Sequence, residues 1–385
     1  LEKSISSRYY LDYNATSPLS KRVQNFLQSG DFIFGNPASI HSTGKKSKKY
    51  INETREYLYS LFNFSPDEFF LFFHSGATEG INSFFKGMAL YHFKNKKKCA
   101  FFFSTVDHSA VYNLQDDLRA LGHDVHFFDV NQDGEFDSTQ VINLIKNNCL
   151  NGILPIINYT FINNETGIVW PLEEALKIKQ QTGAIIHVDA VQLVGKISNW
   201  NRILHELDAY TFSGHKFGAM KSIGFTFCKK TLSLSPWIVG GGQQEGLRAG
   251  TENALAVHSL KLALMDMLED FKPNELLLIR KLLESELHQK STIVGENSKN
   301  RNLNTVFAIF KGQKSVDLNT RFDLQGIDVS SGAACSSGIV KENRILLNMG
   351  FSKDDSMSAI RFSFSPTLAY VEAEKIALAI KKVLN

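Results

Sequence analysis

Asp208-Ala209-Tyr210-Thr211-Phe212-Ser213-Gly214-His215-Lys216 is the stretch on which the reading of the whole chain turns. Apolar residues alternate with others up to Phe212, the pattern of a short strand, and that pattern stops at Ser213-Gly214. His215 and Lys216 therefore stand where functional side chains emerge from a sheet. Read alone, Lys216 is an ordinary surface lysine after a strand, since Ser-Gly-His-Lys is only four residues. Upstream, Ile185-Ile186-His187-Val188-Asp189 is a buried-type strand that ends in a carboxylate. An amine able to form a Schiff base and an acid able to pair with a pyridinium nitrogen are together what pyridoxal phosphate (PLP) chemistry needs.

Further apolar runs repeat the design. Residues 69–73 form an apolar strand that runs straight into His74-Ser75-Gly76-Ala77-Thr78-Glu79-Gly80 and then a helix through Phe84 and Met88. Small residues between strand and helix expose backbone N–H groups, an anion site suited to a phosphate. A plain N-cap by Ser75 or Thr78 fits the same residues. Residues 100–103 form a strand ending in Val106-Asp107-His108, and 125–128 the next. Residues 153–159 end in Asn163-Asn164-Glu165-Thr166-Gly167, and 224–228 complete the set. Such strands joined by helical segments predict a mostly parallel sheet covered on both faces, with ligands beyond the carboxyl ends of its strands.

His108, Asn164, Asp189 and Lys216 all fall at that edge. Each also has a plainer reading. His108 can be a polar cap, Asn164 a turn residue and Asp189 the N-cap of a helix starting at Ala190. Gln192, one turn on, can simply be exposed.

The flanks add a strand at 9–13, turns at 14–18 and 35–39, and a polar helix over 42–62. The Gly240-Gly241-Gly242 run reads as a flexible loop. After it, residues 247–253 open a helix through Leu268 that leads to a second domain. A helix over 275–288, strands over 304–310 and 358–364, a small-residue loop over 329–338 and a final helix to Val383 follow.

A chain of 385 residues with 43% hydrophobic and 21% charged residues is ordinary for a globular protein of about two domains. A formal charge of +3 makes no case for nucleic acid or an anionic membrane. Lys94-Asn95-Lys96-Lys97-Lys98 reads as a solvated loop. Cys99, Cys149, Cys228 and Cys335 form no C-x-x-C pair, which sets aside a zinc knuckle and a thioredoxin motif. That usage fits a reducing compartment. With no signal-like segment before Tyr9 and no membrane-length apolar run, the expected location is the cytoplasm.

Taken together and in order, the segments resemble the cysteine desulfurases of the NifS/IscS type. These are class V aminotransferase-like enzymes of the fold-type I PLP group. The likeness runs from Leu11-Asp12-Tyr13-Asn14-Ala15-Thr16 to Ile360-Arg361-Phe362-Ser363. It includes residues 35–39, 75–79, 163–167, 187–192, 213–216, 248–251 and 330–336. The resemblance implies an α/β fold: a large domain (16–258) with a mostly parallel seven-stranded sheet between helices, plus a smaller α+β domain (1–15 and 259–385) carrying a catalytic cysteine loop.

It also implies roles. Lys216 matches the Schiff-base lysine, Asp189 the acid on the pyridinium nitrogen and His108 the histidine stacked on the ring. Gln192 matches the group bonded to the ring oxygen. Ala77, Thr78, Ser213 and His215 match the phosphate cradle. Thr251 matches a threonine reaching the neighbouring subunit's phosphate, hence a homodimer. Asn164 and Arg361 match the groups that hold the substrate carboxylate, and Cys335 the cysteine that receives sulfur. No metal is implied.

The implied reaction turns L-cysteine into L-alanine with a persulfide left on Cys335. From there the sulfur passes to an acceptor protein for iron–sulfur assembly or thiolation. Alternatives are a selenocysteine lyase or related C–S lyase, or an inactive dimeric binding module on the same fold. Ala219-Met220-Lys221-Ser222 stands where many relatives have Gly-Pro-Lys-Gly. The given sequence stops at Asn385, soon after its last helix, where housekeeping relatives carry a further scaffold-binding segment, so that partnership is not expected from it; the long 335–350 stretch suits the subgroup with a mobile cysteine loop.

Overall fold

The structure is a computed structural model that describes residues 8–30, 33–150, 152–331, 334–336 and 339–385, without the side chains of 334–336 and 339–341. Its strands are β1 (Tyr9–Tyr10), β2 (Phe69–His74), β3 (Cys99–Ser104), β4 (Asp124–Phe128), β5 (Leu154–Thr160), β6 (Ile185–Asp189), β7 (Ala209–Ser213) and β8 (Gly224–Lys229). They continue as β9 (Thr292–Ile293), β10 (Thr305–Ile309), β11 (Ile327–Asp328), β12 (Ser330–Ser331), β13 (Ala334–Ser336), β14 (Ile339–Lys341) and β15 (Ala359–Ser363). The helices are α1 (Lys21–Gln28), α2 (Ser42–Leu61), α3 (Ala77–Lys94), α4 (Ser109–Tyr112), α5 (Gln115–Ala120), α6 (Ser138–Asn148) and α7 (Leu172–Thr182). After these come α8 (Ala254–Asp270), α9 (Pro273–His288), α10 (Ser315–Leu324), α11 (Arg344–Asn348), α12 (Lys353–Met357) and α13 (Tyr370–Leu384).

Seven strands form one sheet in the order β2-β8-β7-β6-β5-β3-β4. β8 is antiparallel to both neighbours, and the remaining pairings are parallel. The apolar runs that predict these strands are explained by burial on both faces. Successive side chains point to opposite sides of a sheet. Leu71, Phe73, Phe102, Ile157, Val188 and Phe212 enter a core shared with α2, α7 and α8. Phe72, Phe101, Phe103, Ile156 and Cys228 enter the opposite core beneath α3. α3 is held close to the end of β2 because Gly80 lacks a side chain: a Cβ there would lie 2.4 Å from His74 Nε2.

A second sheet, β12-β15-β10-β9, is antiparallel and packs on α9, α10 and α13 in a core of its own. The N-terminal segment runs along it: β1 pairs with β11, and Asp12 bridges to Ser363. A division at residue 258 falls inside α8, whose buried residues through Met267 belong to the larger core.

Two local expectations are corrected. No helix starts at Ala190; residues 191–200 wind as turns. The chain reverses at Gly195, which has φ +71° and lies where a Cβ would meet Met267 Sδ at 2.3 Å. Within the stretch read as one long loop from Cys335 to Gly350, β13 and β14 form a hairpin that pairs Cys335 with Val340, and α11 follows.

Candidate active site

A cavity of about 580 Å³ opens at the carboxyl edge of the seven-stranded sheet. That volume is typical of small-molecule sites. Lys216, Asp189, His108 and Asn164 line it from four strand ends, and Gln192, Ser213, His215, Ala77 and Thr78 complete the wall.

β6 and β7 are neighbours, with Asp189 paired to Thr211, so the carboxylate and the Ser213–Lys216 turn emerge side by side. Asp189 is buried and accepts from the Val191 N–H at 3.1 Å. Burial pushes its carboxyl up to about 6, against the pull of that N–H and of Lys216. The Lys216 amine donates to the backbone carbonyls of Asn14 at 2.7 Å and Ala15 at 2.9 Å. Burial, then the Arg361 charge, bring it down to about 8, opposed by Asp12 and Asp189. A free amine is thus accessible near neutral pH, which an imine-forming lysine requires.

The cavity's far end is the start of α3. Its cap is Gly76, with no side-chain cap bond, so neither Ser75 nor Thr78 fills the capping role. The first N–H groups of a helix have no intrahelical acceptor and carry partial positive charge. Ala77 and Thr78 supply them here, with Ser213 opposite: a Cβ on Gly76 would stand 3.9 Å from Ser213 Oγ. His215 Nδ1 meets Thr16 Oγ1 at 3.1 Å, and burial followed by the Lys216 charge brings its ring down to about 4. It is therefore a neutral imidazole across the working range.

His108 caps α4: its Nδ1 accepts from the Ala110 N–H at 3.1 Å. Its ring faces the cavity, and the surrounding chain, Lys216 and Arg344 all lower its proton affinity. The loop beneath is braced by residues that the sequence reading did not single out. Arg344 of α11 donates to the carbonyls of Thr105 and Asp107 and lies 4.0 Å over the Tyr112 ring. Asp107 is buried, accepts from Thr160 Oγ1 at 2.6 Å, and is pushed by burial up to about 7.

Asn14 was also missed, and it gathers the site. Its carbonyl accepts from Lys216 and from Gln192 Nε2 (3.0 Å), and its Oδ1 from Lys196 Nζ (2.9 Å). Its Nδ2 donates to the Asn164 carbonyl (3.0 Å) and Thr305 Oγ1 (2.9 Å). Lys196, fully buried, also donates to Gln192 Oε1. The available signal was a lysine just after the apolar Leu193-Val194 pair.

Two expected residues lie apart. Arg361, 4% exposed, is outside the cavity lining. Its Nη1 donates to Glu165 Oε1 (2.9 Å) and the Asn164 carbonyl (3.1 Å), and its Nη2 to Asp12 Oδ1 (2.8 Å). Thr251 lines a separate hollow of about 220 Å³ with Gln244 and Arg248. Arg248 is tied to the α3 start through Glu79, which accepts from Arg248 Nε at 2.7 Å and from the Ser75 N–H at 2.8 Å. The Cys335 side chain lies outside the described residues. Among the described residues no group of acidic, histidine or cysteine side chains is placed to hold a metal, and no helix is long and apolar enough to cross a membrane.

The donor set fits PLP. An anion-binding helix start, a buried carboxylate and a partly deprotonated amine meet in one cavity, matching the phosphate, ring nitrogen and aldehyde of that group.

The model of the aminotransferase class-V family matches residues 9–376. A putative cysteine desulfurase, IscS 1, from Bacillus subtilis (strain 168) is 32% identical, covering 98% of this chain and 98% of that one. A cysteine desulfurase from Nostoc sp. (strain PCC 7120 / SAG 25.82 / UTEX 2576) is 31% identical over 98% of this chain and 92% of its own. The X-ray structure of a NifS-like protein from Rickettsia africae ESF-5 superposes with a TM-score of 0.85 at 27% identity, over 98% of this chain and 99% of that one.

Proposed function

The chain belongs to the class-V aminotransferase family, and from that premise we propose how its own residues carry out the cysteine desulfurase reaction. The overall conversion is L-cysteine to L-alanine with transfer of the sulfur. The observation that carries the proposal is the meeting of Lys216, Asp189 and the α3 N-terminus in one cavity.

PLP, when bound, supplies an electron-accepting ring that stabilises negative charge at the substrate Cα. The Ala77 and Thr78 N–H groups, with Ser213 and His215, would hold its phosphate. Asp189 would pair with its ring nitrogen, and that pairing would favour the charged carboxylate over the neutral form that burial favours. Lys216 would supply the amine for its aldehyde and a proton carrier at Nζ. His108 and Gln192 would help to hold the group from the same cavity wall. Asn164 and Arg361 orient the substrate carboxylate. Cys335 receives the sulfur as a persulfide, which requires its thiolate.

We further propose a homodimer in which Thr251 completes the partner's phosphate site, with a large unit that runs from residue 16 and takes in α8, and a small one made of 1–15 and the residues after α8. A sulfur-acceptor protein then takes the persulfide sulfur. The test is to load the protein with PLP, add L-cysteine, and measure alanine release together with the mass of the peptide holding Cys335. A yellow protein, stoichiometric alanine and an added sulfur on that peptide are expected. Alanine release by a Lys216→Ala variant at the wild-type rate would overturn the proposal.

A further inference from the structure

Glu165 follows Asn164 directly in the chain, inside a turn closed by Asn163. Asn163 Oδ1 accepts from the N–H groups of Glu165 and Thr166, each at 3.0 Å. The turn leaves the Glu165 carboxylate in a particular place. Its Oε1 accepts from Asn164 Nδ2 at 2.9 Å and from Arg361 Nη1 at 2.9 Å. One carboxylate oxygen therefore sits at the crossing point of the two side chains proposed above to orient the substrate carboxylate.

The arrangement is held from both sides. Arg361 cannot turn away easily: it is mid-strand in β15, 4% exposed, and its other nitrogen is fixed by Asp12 Oδ1 at 2.8 Å. Asp12 is in turn bridged to the sheet at Ser363. Glu165 is the looser partner, with a side chain 19% exposed against 5% for Arg361. Two carboxylates already face one guanidinium. A third anion brought to the same two donors meets the Glu165 carboxylate at close range; Lys216 and Lys196 are near as well, but in a buried setting the repulsion between two carboxylates on one guanidinium is poorly screened.

We infer that Glu165 is a placeholder for the substrate carboxylate: binding exchanges one carboxylate for another on Asn164 and Arg361, and Glu165 swings toward solvent. The exchange conserves hydrogen bonds, so a carboxylate by itself gains little. A ligand then needs a second anchor, an amine that would take the place of the Lys216 amine at the cofactor aldehyde and leave Lys216 as a free amine. Glu165 thereby selects amino acids over simple carboxylic acids, although it touches neither the amine nor the sulfur. This role rests on the reading in the preceding section.

The experiment uses the full chain loaded with PLP, the yellow chromophore as the reporter, and two probes with no sulfur to transfer, L-alanine and propionate. Wild type is expected to bind L-alanine weakly and propionate not measurably. Glu165→Ala removes the competing carboxylate and should tighten L-alanine binding by about tenfold, with propionate now binding. Glu165→Gln keeps an acceptor on both donors while losing the charge, so it should tighten L-alanine by a smaller factor. It serves as the test if the alanine variant does not fold. Unchanged or weaker L-alanine binding in the folded variants would overturn the placeholder role and make Glu165 a simple brace for Arg361. Failure of the wild type to form the chromophore at all, or to change it with L-cysteine, would instead sink the functional reading.

Discussion

The two sheets present their chemistry in opposite ways. In the seven-stranded sheet, Asp189 is the last residue of β6 and Lys216 lies in the turn just after β7. Each meets the cavity from a strand end, and each has its proton affinity bent by burial, Asp189 up to about 6 and Lys216 down to about 8. In the four-stranded sheet, Arg361 is central in β15, with its backbone paired to Phe307 on one side and Ser330 on the other. Its charge is held by Glu165 and Asp12 against the burial that opposes it. Strand ends suit groups that must change state during a reaction. A mid-strand position suits a group that must not move. The proposed division is thus chemistry on one sheet and recognition on the other.

The hardest blow to that comparison would come from Lys216→Ala. It should abolish the yellow chromophore and lower turnover by roughly 10⁴-fold or more, while the apoprotein keeps its far-UV spectrum. Next is Asp189→Asn, expected to cost roughly 100-fold in kcat while the apoprotein grows more stable toward neutral pH. The sign follows from linkage. A carboxyl with a raised folded pKa contributes stability below its unfolded value of 3.8 that is lost as pH rises through about 6. The variant lacks that loss, so thermal melts of the two apoproteins at pH 5 and pH 7 should diverge as pH rises.

Arg361→Lys tests the other sheet. A single ammonium cannot reproduce the fork on Glu165, the Asn164 carbonyl and Asp12, so KM for L-cysteine should rise by about tenfold or more, with a smaller change in kcat. A fall in kcat at constant KM would break the division between the sheets. The smallest effect is on pH. Condensation of an aldehyde with the apoprotein should accelerate as pH rises through about 8, because Lys216 loses its proton there. A midpoint near the ordinary lysine value of 10.5, measured by absorbance, would mean that burial does not tune this amine.

Much of the first sheet was legible because its strands are apolar on both faces and its functional groups sit where the apolar runs stop. His108, Asn164, Asp189 and Lys216 could be placed at one edge from spacing alone. The direction of β8 was not legible, since 224–228 reads the same forward or reversed. The helix expected after Asp189 is replaced by turns, with Gly195 at φ +71° where a Cβ would meet Met267, and no local pattern records that. Lys196 and Asn14 were passed over because their meaning is in what they bind, and their partners at 192, 216, 305 and 363 are scattered along the sequence. Arg361 was placed by resemblance. Its pairing with Glu165 depends on how a turn packs on a distant strand, and only coordinates supply that.

Asn14 has a consequence in time as well as in space. Its N–H donates to Ser363 Oγ at 3.0 Å across a separation of 349 residues, and its side chain reaches Thr305. Contacts of such separation close late, because the loop entropy must be met before they are made. The pairing that places Asp189 beside the turn of Lys216 spans far fewer residues, 187–189 against 209–211. All of these residues are synthesised before Ser363, so Lys216 can be in place on its sheet while the carbonyl that steadies its amine is still untethered. A chain stalled short of Ser363 would be able to take up an aldehyde yet hold it loosely, and firm loading of the cofactor would mark the moment at which the C-terminal sheet has docked.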